Sequence, residues 1–202
     1  MNRPAVRAVF AIILALLVIS CTSEQRERLS NALNSTNDEK GTKVIRSTDG
    51  CCSVTVPGSW KEEKELNAQA NLQASNRLKE LYIIVISESK EDFQEMTLER
   101  HSELTRTEFA KSLTTPEVSE AAFVTVNKNN GVQYQISGAI NNVKIVAFHT
   151  TVETPKYFHQ ILAWTIKSRL EKNKPILQSV IESFKEDTSD RKSIPAPQRT
   201  DE

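Results

Sequence analysis

The sequence predicts an α+β domain, a mainly antiparallel β-sheet with helices packed on its faces. Three observations predict it. Strand-like segments follow one another with hairpin-type turn residues between them. One segment, Leu81-Tyr82-Ile83-Ile84-Val85-Ile86, is apolar throughout, as a strand covered on both faces must be. Two further segments carry apolar residues at helical spacing, which an antiparallel meander can accommodate only by packing them on its faces.

Taken in order, Val44-Ile45-Arg46 and Cys51-Cys52-Ser53-Val54-Thr55-Val56 flank Asp49-Gly50, a hairpin signal. Pro57-Gly58-Ser59-Trp60 then breaks the strand and plants an aromatic. Ala70, Leu72 and Ala74 alternate with polar residues and suggest a half-exposed strand. Residues 97–113 read as a helix, with Thr97 as its cap and Leu98, Thr105, Phe109 and Leu113 on one face. Four strands follow, at about 117–127, 131–140, 143–153 and 156–167. Asn129-Asn130-Gly131 and Asn141-Asn142 offer the positive-φ residues that tight hairpins need. A last helix carries the stripe Ile176, Leu177, Val180, Ile181, Phe184, with Asn173 as its cap and Pro175 in its first turn.

The flanks read differently. A short basic opening, Arg3 to Arg7, precedes an apolar run from Ala8 to Ile19. About a dozen such residues make a secretory signal, whereas a spanning helix needs about 20. Val18-Ile19-Ser20-Cys21 resembles the lipobox of bacterial lipoproteins. That resemblance implies cleavage after a signal at 1–20 and acylation of Cys21, the first mature residue. It also implies a cell-envelope address, and Thr22 (not Asp) resembles the sorting pattern for an outer membrane facing the periplasm in a Gram-negative host. Residues 21–43 are polar and poor in aromatics, a disordered tether. Residues 187–202, with Pro195 and Pro197, read as a disordered tail. The folded unit is then 44–186.

Lys and Arg number 26 and Asp and Glu number 26, so no net field recruits nucleic acid. Phosphate-cradling glycine motifs, GxSxG and HExxH are all absent from the sequence, so no cofactor is expected and an enzyme is not. Cys51 and Cys52 are adjacent on a strand, which would turn one inward and one outward. Packing, a vicinal disulfide with a strained ring, and metal binding are the three roles open to them. Among the histidines, a two-residue Asn141-Asn142 turn sets Tyr134 across from His149. An odd loop around Pro155 would then bring His149 and His159 onto one face with Tyr134 and Tyr157. Such a face is either a ligand or metal patch or the inert polar border of a sheet.

The strand ending VTVPGSW, the LYIIVISES strand, the helix from Met96-Thr97-Leu98, the three hairpin strands closing with AWTIKS, and the helix ending VIESFK together resemble the PsbP-like fold. This is an α-β-α sandwich shared by the extrinsic luminal protein of photosystem II, a nuclear Ran-binding protein and bacterial exported proteins and lipoproteins. The resemblance implies a binding or assembly module rather than a catalyst, and it carries no site residue over. The expected partners are a membrane, through the lipid, and another envelope protein. A small-molecule or metal-binding lipoprotein is the alternative.

Overall fold

The computed structural model describes residues 41–187. The signal, Cys21 and all but the last residues of the tether lie outside them, as does the tail beyond Asp187. An eight-stranded antiparallel sheet forms the middle layer. Its strands are β3 (Lys61–Glu62), β4 (Leu72–Asn76), β5 (Leu81–Ser89), β6 (Thr114–Val118), β7 (Ala122–Val126), β8 (Asn129–Ile140), β9 (Val143–Glu153) and β10 (Tyr157–Ile166). They run in the spatial order β3-β4-β5-β10-β9-β8-β6, and β7 joins the outer side of β8 beside β6. A smaller sheet of β1 (Thr42–Arg46), β2 (Cys52–Pro57) and β11 (Lys185–Glu186) lies over one face. Helix α1 (Leu98–Lys111) packs on one side, and α2 (Leu170–Glu182) on the other.

The apolar strand explains the layering. Leu81, Ile83 and Val85 join the core shared with β1, β2, Trp60 and α2. Tyr82, Ile84 and Ile86 join the core beneath α1. Alternate residues from Leu81 to Ile86 thus feed two cores, and the polar residues Ser87, Glu88 and Ser89 end the strand. The fold class predicted from the sequence is the one found.

Several local expectations hold. Thr97 caps α1 by accepting the Arg100 amide at 3.2 Å. Asn141 and Asn142 turn the β8–β9 hairpin at φ 49° and 66°, pairing Ile140 with Val143.

Others are corrected. The β7–β8 turn falls at Asn127-Lys128, φ 47° and 72°, rather than at Asn129-Asn130-Gly131. Asn129 and Gly131 are paired strand residues, and Gly131 is needed because an added Cβ would meet the Thr151 carbonyl oxygen at 3.0 Å. The stretch expected as one strand at 117–127 is two, β6 and β7, with separate registers on β8. Asn173 does not cap α2. The helix starts at Leu170, after a 3-10 turn, and Asn173 is buried within it, donating to the Lys79 carbonyl and to Thr165 Oγ1, both at 2.8 Å. The cap signal in the sequence was a tertiary hydrogen bond. Finally, β1 begins at Thr42, two residues inside the expected tether, because Thr42 to Arg46 pair continuously with β2.

Candidate functional site

The four residues expected to share a face do not. Tyr134 and His149 face each other across β8 and β9, as the Asn141-Asn142 turn requires, and both lie under α1. Tyr157 and His159 point to the opposite side, where His159 meets the Phe184 ring with centroids 4.9 Å apart. The cause is the β9–β10 turn. The Thr154 amide donates to the Tyr157 carbonyl at 2.9 Å, leaving a two-residue loop of Pro155 and Lys156. An even loop pairs Leu162 with His149 and Val152 with His159, so the two imidazoles take opposite faces. The Tyr134, His149, Tyr157, His159 patch is therefore two separate pairs.

The histidines are also sequestered. Burial, with a smaller contribution from the charge of His101, holds His149 down at about 3. Neither ring nitrogen of His149 meets a hydrogen-bond partner on a neighbouring residue. His101 reaches down from α1, stacks on Phe158 with centroids 4.5 Å apart, and places Nε2 3.0 Å from Glu88 Oε2. Gln160 donates to the same carboxylate oxygen. Sequence reading missed Glu88 and Gln160 because they meet only through the pairing of β5 with β10, more than seventy residues apart in the chain. Strand parity along β5, which separates Glu88 from Ser87 and Ser89, was the available signal.

Cys51 and Cys52 are both buried and both free thiols, so the expected inward and outward pair is not found. Cys51 precedes β2 and belongs to the turn, so strand alternation does not govern it. Cys52 lies between β1, β11 and the large sheet. Among the described residues, no group of three His, Cys, Asp or Glu side chains is arranged to hold a metal ion.

A large apolar side chain does reach solvent on the big sheet. Phe123 on β7 is 75 % exposed. It lines a cleft of about 590 Å³ with Met96 and Leu98 at the start of α1 and with Gly131 and Glu153. Among the described residues β7 pairs only with β8, so its other edge is open. The remaining edges of this sheet are guarded. β3 is two charged residues long, and β6 carries Pro116 and a register shift between Thr114 and Glu117. β7 reads Ala-Phe-Val-Thr-Val, without charge, proline or bulge. Such an edge is a template for a further strand.

No protein-family model matches the chain, and no curated protein matches it in sequence. Solved structures do resemble it. LpqN, involved in cell envelope biogenesis of Mycobacterium tuberculosis, superposes with a TM-score of 0.54 at 14% identity, over 71% of this chain and 89% of its own. The cyanobacterial PsbP (CyanoP) of Synechocystis matches with a TM-score of 0.51 at 12% identity, over 72% and 92%. A point variant of the protein Mog1 matches at 0.50 and 13% identity, over 74% and 98%. Likeness at such identities speaks for the fold alone. The domain has the PsbP/Mog1-like fold, an antiparallel sheet between two helical faces.

Proposed function

We propose that the chain is a lipid-anchored envelope protein, held by an acylated Cys21, whose domain is a non-catalytic binding or assembly module. It adds an extended segment of an envelope protein to the free edge of β7. The observation that carries this reading is the uncharged open edge with Phe123 exposed beside a cleft. Strand addition would satisfy the outward backbone groups of β7, and Phe123 and the cleft would select the side chains. The likeness in fold to LpqN, whose role is in cell envelope biogenesis, supports the setting. The buried state of His101, His149 and His159 supports a non-catalytic role.

The edge is tested by replacing Phe123 with a photo-crosslinking residue and irradiating intact cells. A discrete adduct is expected. Thr125→Pro should abolish it, since in a two-residue hairpin Thr125 occupies a position whose N–H faces away from β8. An adduct pattern that ignores Thr125→Pro refutes the edge. The anchor is tested separately: Cys21→Ala should end labelling by a palmitate analogue and leave the protein soluble or uncleaved. Retention after normal cleavage refutes it.

A further inference from the structure

One corner of the domain lines up four kinds of polar chemistry. Cys51 follows Gly50, which turns at φ 71°, and its Sγ lies 3.5 Å from both Ser47 Oγ and Ser87 Oγ. Ser87 Oγ lies 2.8 Å from His159 Nδ1, directly across the β5–β10 pairing. His159 Nε2 is in turn 3.8 Å from Glu186 Oε1. Thiol, hydroxyl and imidazole thus form a line on which a proton can be held or passed, with a carboxylate at ion-pair distance from its end. Cys52, the next residue in the chain, is also a free thiol.

The two thiols are unequal. The hydrogen bond from Cys52 holds Cys51 down to about 7 against burial, helped by Ser87 and Ser47. That same bond, with burial, pushes Cys52 well above the ordinary thiol range. One sulfur is thereby an acceptor and the other its donor.

We propose that Cys51 and Cys52 form a thiol–disulfide exchange site whose substrates are small organic disulfides, with Cys51 attacking and Cys52 resolving. The Cys51 thiolate attacks one sulfur of R–S–S–R. Its bond to that sulfur forms, the S–S bond breaks, and R–S⁻ leaves, taking the proton first held by the Ser87–His159 line. Cys52 then has no thiolate to serve. It attacks the Cys51 sulfur, expelling the second R–S⁻, which takes the Cys52 proton. The cysteine pair is oxidised by two electrons to a vicinal disulfide, and the substrate is reduced to two thiols.

Cys51 is only 1% exposed, so access requires a door. β11 supplies one. It is two residues long, pairs Glu186 with Cys52, and is followed by Asp187, whose amide donates to the Cys51 carbonyl at 2.9 Å. A strand of two residues opens at low free energy. This site is independent of the lipid anchor and of the β7 edge.

The test uses the full chain, because the tryptic peptide 47–61 contains Cys51 and Cys52 but not Cys21. The folded protein is incubated with oxidised glutathione, blocked with N-ethylmaleimide and mapped by mass spectrometry. Wild type should yield the peptide short of two hydrogen atoms, Cys52→Ser should trap glutathione on Cys51, and Cys51→Ser should stay unmodified. Substoichiometric iodoacetamide should alkylate Cys51 before Cys52 in the wild type, a readout that needs no variant to fold. Ser87 is a positioning residue. Ser87→Ala should shift the pH midpoint of Cys51 alkylation upward and slow the reaction at neutral pH. The proposal is overturned if the folded wild type keeps both thiols, if Cys52 reacts first, or if the Ser87→Ala pH profile is unchanged.

Discussion

His149 lies directly across β8 and β9 from Tyr134, buried beneath α1 with no hydrogen-bond partner on a neighbouring residue at either ring nitrogen. A buried polar group in that state is a liability of about 1–3 kcal/mol. His149→Leu should therefore leave the domain at least as stable as wild type at pH 8, and up to that amount more stable. Urea denaturation measures it. A loss of stability would mean that His149 has a partner that matters.

The same residue sets an acid limb. Its ordinary value of 6.5 falls to about 3 in the fold, chiefly through burial. Above pH 6.5 both folded and unfolded chains hold it neutral. Below that, the unfolded chain takes up a proton that the folded one refuses until about pH 3. Stability should fall with pH across this window, by up to about 1.4 kcal/mol per unit from this group. His149→Leu should flatten the slope, and equal slopes in the two proteins would contradict the assignment.

Trp164 stacks on Tyr82 across β10 and β5, with centroids 5.2 Å apart and planes within 10°. Trp164 is nearly inaccessible and helps fill the core under α1. Trp164→Ala should cost about 3–5 kcal/mol, with the melting temperature as the readout. Trp164→Phe should recover most of it, because the ring contact survives.

Gly138 in β8 sits against the end of α1. A Cβ there would lie 2.9 Å from Leu113 Cβ. Gly138→Ala should destabilise the domain by about 1–3 kcal/mol through overpacking. Leu113→Ala should not rescue it, since the clashing atom is the Cβ that alanine retains. Full rescue would show that the crowding comes from the outer leucine carbons instead.

Asn173 joins α2 to the β4–β5 turn and to β10 through its bonds to the Lys79 carbonyl and Thr165 Oγ1. Asn173→Ala should cost about 1–3 kcal/mol, as buried polar groups lose their partner. Were Asn173 a helix cap, Ser would substitute well. Here Asn173→Ser should be nearly as damaging as Ala, because its hydroxyl is too short to make both bonds.

Local patterns were legible wherever one stretch of chain sufficed. The helix cap at Thr97 needs only neighbours within a turn. The Asn141-Asn142 hairpin needs only positive φ. Leu81 to Ile86 declares two buried faces by composition alone. Reading failed where two signals competed or where partners were distant. Asn127-Lys128 turns the chain although Asn129-Asn130-Gly131 looks better, because Gly131 is held against the Thr151 backbone. Asn173 looks like a cap because its tertiary partners at Lys79 and Thr165 are invisible in the sequence.

The candidate site divides in the same way. The sequence by itself determined the class of fold, the strand parity that opposes Tyr134 to His149, and the resemblance at Cys21 that gives the chain an expected address. Only the tertiary structure decided that His149 and His159 part to opposite faces, that β7 keeps an open edge, and that Ser87 links Cys51 to His159. Residue type and alternation are properties of a segment, and folding expresses them locally. Loop parity, edge position and the meeting of β5 with β10 depend on pairings between distant strands, which only the closed core can select.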